Sequence, residues 1–186
     1  MDSSSLVDWL VPQGQESNKA YVAKTKFVFG VAICMTLIAA LNALRQFSVG
    51  HTTNGTMILL AVFLMLVSFI VFKFWGSLAF LCNSVTALLY FLITFLTFSF
   101  GGLSSNVGSW FGLVVLLGII LTGKKYGLFW GILSVSTVVA FYVAELNGVK
   151  FEAQPIKITG FFIGCFILCL AILGLGIIYE TTTTNS

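Results

Sequence analysis

Polar and apolar positions in this chain do not alternate. They come in blocks. Six long apolar blocks run over Lys26–Gln46, Thr56–Phe74, Ser77–Phe98, Val107–Thr122, Gly127–Glu145 and Ile158–Tyr179, with short polar punctuation between them. A helix rises 1.5 Å per residue, so ~20 apolar residues cross the ~30 Å hydrocarbon layer of a bilayer. Each block is near that length, and the fourth is the shortest. A membrane-barrel strand would show ~10 residues of alternating polarity, whereas these blocks are continuous runs of Leu, Ile, Phe and Val. The pattern predicts an all-α, polytopic membrane protein with six transmembrane helices. Tails over 1–25 and 180–186 flank the bundle. The two prolines, Pro12 and Pro155, fall outside the blocks, where they break no helix.

Composition removes most alternatives. The 186 residues are 59% hydrophobic and 8% charged, against about 25% charged in a soluble domain. The first 22 residues are polar, with Asp2, Asp8 and Glu16, so a cleavable signal peptide is not expected. Within that tail, Leu6 to Val11 with Trp9 suits either a mobile end or an interfacial turn. No basic run interleaved with aromatics exists, which argues against nucleic acid as a partner. The partner implied is the lipid bilayer.

The placement of charge matters more than the net +3. Lys19, Lys24, Lys26, Lys73, Lys124 and Lys125 fall on one side of the block pattern; Arg45, Lys150 and Lys157 fall on the other. Positive residues concentrate in cytoplasmic loops. The bundle is therefore expected with both termini cytoplasmic, in a plasma (inner) membrane. The inner connections are very short, Phe74-Trp75-Gly76 and Gly123-Lys124-Lys125-Tyr126, which forces antiparallel neighbours. Ser99–Asn106 is a Gly/Ser turn.

Candidate chemistry is sparse. No charge lies near the middle of a block, which argues against ion pumping, proton coupling and intramembrane hydrolysis. No catalytic residue, metal ligand set or cofactor is expected. Cys34, Cys82, Cys165 and Cys169 all lie within blocks, and His51 lies in an outer connection, so the cysteines read as small packing residues. Glycine pairs at Gly108/Gly112, Gly127/Gly131 and Gly160/Gly164 read as close helix contacts or as ordinary intramembrane glycine. What remains is an uncharged polar stripe. Asn83, Thr86, Tyr90, Thr94 and Thr97 share one helix face; Ser134, Thr137, Phe141 and Glu145 share another. Such faces turn away from lipid. With Trp110 and Tyr142 they either bond helix to helix or line a pocket for a small apolar or neutral ligand. The candidate pocket residues are Asn83, Tyr90, Thr94, Trp110, Ser134, Phe141, Tyr142 and Glu145. Arg45 and Glu145 lie at similar outer depth, as an ion pair or as two solvated charges. Trp75, Trp110 and Trp130 lie near block ends and read as interfacial anchors.

The stretch GGLSSNVGSWFGLVVLLGIILTGKKYGLFWGILSVSTVVAFYVAELNG, from Gly101 to Gly148, resembles the second half of the six-span membrane modules at the N-terminus of many bacterial sensor histidine kinases. Similar modules precede diguanylate cyclases and membrane adenylyl cyclases. The resemblance lies in the Gly/Ser turn before Trp110, the helix ending Gly123-Lys124-Lys125, the Gly127…Trp130 restart and the end at Tyr142 and Glu145. It implies a sensory input module, homodimeric by analogy, whose last helix passes a signal to a cytoplasmic kinase or cyclase. This sequence holds no phosphoacceptor histidine, ATP-binding motif or cyclase motif, so no catalytic role is carried over. The chain is then either a piece of a longer protein or a stand-alone relative that signals through a partner. A permease for a neutral substrate and a non-catalytic scaffold subunit are the competing readings.

Overall fold

The computed structural model describes residues 19–149 and 151, and all regular structure there is helical. Helix α1 spans Lys19–Ser48, α2 Thr52–Trp75 and α3 Leu78–Ser99. Two 3-10 turns, Gly102–Ser104 and Asn106–Trp110, lead into a helical stretch over Phe111–Leu146. That stretch is not one rod. Gly123 (φ 79°, ψ 178°) is non-helical and divides it into α4 (111–122) and α5 (124–146). The expected sixth span, Ile158–Tyr179, and the tail 180–186 lie outside the described residues.

The chain doubles back at Gly123. A Cβ built on Gly127 of α5 would lie 2.6 Å from Ile119 Cα, and further along α5 a Cβ on Gly131 would face Val115 of α4. Advancing along α5 thus retraces α4, so the two limbs are antiparallel. Helix α4 alone rises about 18 Å. The five-residue turn Asn106–Trp110 before it adds about 10 Å at ~2.0 Å per residue. The sum is close to the ~30 Å hydrocarbon thickness, which accounts for the shortness of the fourth apolar block.

Glycine ends the other helices too. Gly50 has φ 88°, and the chain closes its turn with His51 N–H donating to Gln46 O at 2.9 Å. At the end of α2, Gly76 adopts φ 63° and its amide donates to Phe72 O at 2.7 Å. Only a residue without Cβ takes this left-handed cap at no steric cost. Ser77 then starts α3, its hydroxyl accepting from Phe80 N–H at 3.3 Å. Tyr21 OH donates to Gly76 O at 2.8 Å and pins the start of α1 to this turn.

Several boundaries differ from the sequence expectation: α2 begins at Thr52, four residues before the expected Thr56, and the start of the fourth block is a 3-10 turn. Helix α1 begins at Lys19, inside the stretch read as tail. Lys124, Lys125 and Tyr126, read as a connection, are helical, and only Gly123 leaves the helix. Hydropathy marks where a helix stops being apolar. Lysine is a good helix former, so the hydrogen bonding continues until a glycine interrupts it.

The main core joins Phe27, Val28, Val31 and Met35 of α1 to Phe72 of α2, Leu81 and Val85 of α3, and Leu113, Leu117 and Leu121 of α4. Phe29 stacks on Phe69 at 4.8 Å between ring centroids. The outward faces are apolar as well. Leu41 is 68% exposed, Phe63 60% and Leu128 62%. Apolar stripes such as Leu128, Ile132, Val135 and Val139 in water would far exceed the patches soluble monomers show. Four helical stretches, Lys19–Ser48, Thr52–Trp75, Leu78–Ser99 and Val107–Leu146, are long and apolar enough to cross a membrane.

The hairpin contact gives a paired prediction. Gly127→Ala pushes a methyl into the α4 backbone and should destabilise the protein by about 1–3 kcal/mol. Gly112 has nothing within 4 Å of an added Cβ, so Gly112→Ala should cost nothing and gain up to about 1 kcal/mol. Thermal unfolding in detergent compares the two. Equal midpoints would contradict the close approach.

Candidate functional site

The uncharged polar stripe is assembled by α3 and α5. Trp130 Nε1 donates to Asn83 Oδ1 at 3.1 Å, and Tyr90 OH meets Thr137 Oγ1 at 2.5 Å. Both pairs are separated by 47 residues. A constant offset means that α3 and α5 run parallel. The two rungs stand seven residues apart on each helix, or about two turns.

Donor accounting fixes the polarity of the rungs. Asn83 uses its amide nitrogen on Ala79 O of its own helix at 2.8 Å, which leaves its oxygen for the indole. The Thr137 hydroxyl already donates to Leu133 O at 2.9 Å. It has one proton, so Tyr90 is the donor in the upper rung. Among the described residues, two buried hydroxyls have no partner: Ser134 Oγ on α5 and Thr97 Oγ1 on α3. Trp130 is buried, 7% exposed, and its ring packs with Tyr90 in a cluster with Ile93, Phe111 and Val114.

An open groove of about 430 Å³ is lined by Tyr90, Thr94, Ser136, Thr137, Ala140, Phe141, Ala144 and Phe151. It lies toward the helix ends that carry the Gly/Ser turn. Its walls offer hydroxyls, methyl groups and aromatic rings and no charge.

Of the residues read as a pocket, Tyr90, Thr94 and Phe141 line this groove. Asn83 is on its own rung, one heptad away. Ser134 is buried against α3. Trp110 packs between two core clusters. Tyr142 is 55% exposed and does not line the groove. Glu145 accepts from Leu103 N–H at 2.7 Å. Gly102, with φ 70°, brings the turn against this carboxylate, and a Cβ there would run into Glu145 Oε1. Arg45 is exposed and forms no ion pair with Glu145. The carboxylate instead fastens the Gly/Ser turn to the end of α5. Trp130, read as an interfacial anchor, is a core hydrogen-bond donor. Ala140, Ala144 and Phe151 were not signalled, because small and apolar residues carry no polar mark; Ser136 is polar but falls outside the helical spacing of Ser134, Thr137, Phe141 and Glu145. The rungs had a signal: Asn83/Tyr90 and Trp130/Thr137 repeat at the same interval of seven.

Among the described residues, no group of three or more His, Cys, Asp or Glu could hold a metal ion. The chain matches no family model, no curated protein and no solved structure. What the fold and site define is an all-helical protein of membrane-spanning length and apolarity, with a mainly apolar groove, dotted with hydroxyls, between two parallel helices.

The lower rung predicts a coupling energy. A double-mutant cycle of Asn83→Leu and Trp130→Phe should return about 0.6 kcal/mol, the usual size of an interhelical hydrogen bond in a membrane. Additive effects in reversible unfolding would place the two side chains apart. Ser134→Ala should be neutral or stabilising, since it removes a buried hydroxyl left without a partner.

Proposed function

We propose that the protein is a membrane-embedded sensory input module. It is a six-helix bundle with both termini cytoplasmic, in a bacterial inner membrane. It takes a small neutral or apolar ligand into the α3–α5 groove and passes the change through its last helix to a cytoplasmic kinase or cyclase. It acts as a homodimer, as the modules it resembles do.

The observation that carries this reading is the double role of Tyr90. Its ring lines the groove, and its hydroxyl makes the upper rung that holds α3 and α5 in register. A ligand that accepts a hydrogen bond from Tyr90 competes with Thr137. Binding and helix register then share one donor. A ligand shifts an equilibrium only by its differential affinity for the two states. Exchanging one rung, worth about 0.6 kcal/mol, changes a two-state ratio roughly threefold at 1.4 kcal/mol per decade. A graded response follows, in which further contacts with Phe141 and Thr94 would set the remaining discrimination.

Two measurements test the proposal. Cysteines placed at Val49 and Lys125, in a background without native cysteines, should react with an impermeant maleimide from opposite sides, with position 49 outside. Labelling of position 125 from outside would reverse the topology. A cyclase domain fused after Glu180 in helical register should change output when Thr94→Leu fills the groove and should ignore Val139→Ala on the exposed face. Unchanged output in every register, together with uptake of a neutral solute into proteoliposomes, would replace the sensor reading with a permease.

A further inference from the structure

The ends of the bundle differ sharply in charge. Tyr21 joins the start of α1 to the α2–α3 turn at Gly76. The rungs make α5 parallel to α3, so α5 starts at the end where α3 starts. Lys19, Lys24, Lys26, Lys73, Lys124 and Lys125 therefore share one end of the structure. The single acidic residue among the described ones, Glu145, closes α5 at the opposite end.

Helices α1, α3 and α5 present N-terminal ends at this face and α2 and α4 present C-terminal ends, so the partial charges of the helix ends largely offset one another and the lysines set the sign. Lys124 and Lys125 occupy the first turn of α5, a place where cations are disfavoured. Both are exposed, and Lys125 Nζ lies 5.9 Å from the centroid of the Tyr126 ring. Trp75 at the end of α2 lies at this same end and is 76% exposed. An amphipathic indole of this kind settles at headgroup level.

We infer that the lysine end is a binding surface for anionic phospholipid headgroups, centred on the turns at Gly76 and Gly123. Charge complementarity selects this occupant. Phosphate oxygens supply negative charge, which no described residue at this end carries, and acyl chains lie along the apolar faces below. Each lysine near a membrane surface contributes about 1 kcal/mol, so removing two weakens binding on the order of tenfold once screening is included.

The test uses the full-length protein in detergent, titrated with short-chain phosphatidylglycerol and, separately, phosphatidylcholine, with the thermal unfolding midpoint as readout. Phosphatidylglycerol should raise the midpoint, phosphatidylcholine should not, and the rise should fade with added salt. The double variant Lys124→Gln/Lys125→Gln should need roughly tenfold more phosphatidylglycerol, by the same per-lysine estimate. Arg45→Gln at the far end should leave the titration unchanged. If the double variant does not fold, Lys124→Arg/Lys125→Arg must retain the response, and the salt series on the unaltered protein still decides. Equal response to both lipids, full reproduction of the shift by inorganic phosphate, or equal weakening by Arg45→Gln would overturn the inference.

Discussion

Inside a bilayer no water completes a hydrogen bond, and a polar group left alone in hydrocarbon costs several kcal/mol. The helix satisfies the backbone under that constraint. It satisfies most hydroxyls as well. Thr25, Thr36, Ser68, Thr86, Thr94, Thr122 and Thr137 each donate to the carbonyl four residues back on their own helix. Side chains that cannot fold back in this way must look to another helix. The indole of Trp130 and the phenol of Tyr90 are the cases near the centre of the structure, and each bonds across the α3–α5 interface. Two large aromatic donors with nowhere local to go are therefore what register α5 against α3.

Close contact between the other helices depends on what side chains leave out. Gly118 and Gly127 let α4 and α5 approach until an added Cβ would meet Trp130 Cβ at 3.1 Å or the Ile119 backbone at 2.6 Å. Tight approach makes up for the missing hydrophobic drive between helices in lipid, where packing and hydrogen bonds carry association. The same closeness presses Trp130 against Asn83. The polar rung and the glycine contact are thus two consequences of one hairpin.

Much of this was legible in the sequence. The blocks of Leu, Ile, Phe and Val marked the helices and their order, and the short connection Phe74-Trp75-Gly76 marked the turn between α2 and α3. The inward turn of the Asn83–Thr97 face followed from the cost of showing an amide to lipid. Other features were illegible for physical reasons. Trp130 sits near the end of an apolar block, and end position alone cannot separate an anchor at the headgroups from a donor in the core. Glu145 and Arg45 look like partners by depth. Depth carries no azimuth around the bundle, and the carboxylate found the Leu103 amide instead. The groove walls at Ala140 and Ala144 are defined by missing volume, which no residue type announces.

Gly123 decides more than a bend. Its dihedral angles lie in a region that side-chain-bearing residues hardly enter. With a helical residue there, Phe111–Leu146 would run on as a single rod of 36 residues, about 54 Å long, nearly twice what a bilayer accommodates. For a bundle set in a bilayer, one hydrogen atom in place of a Cβ thus sets whether this stretch makes an even or an odd number of passes. Everything C-terminal to it inherits its side of the membrane from that parity, so the orientation of the rest of the chain is encoded at a single backbone angle as firmly as in its lysines.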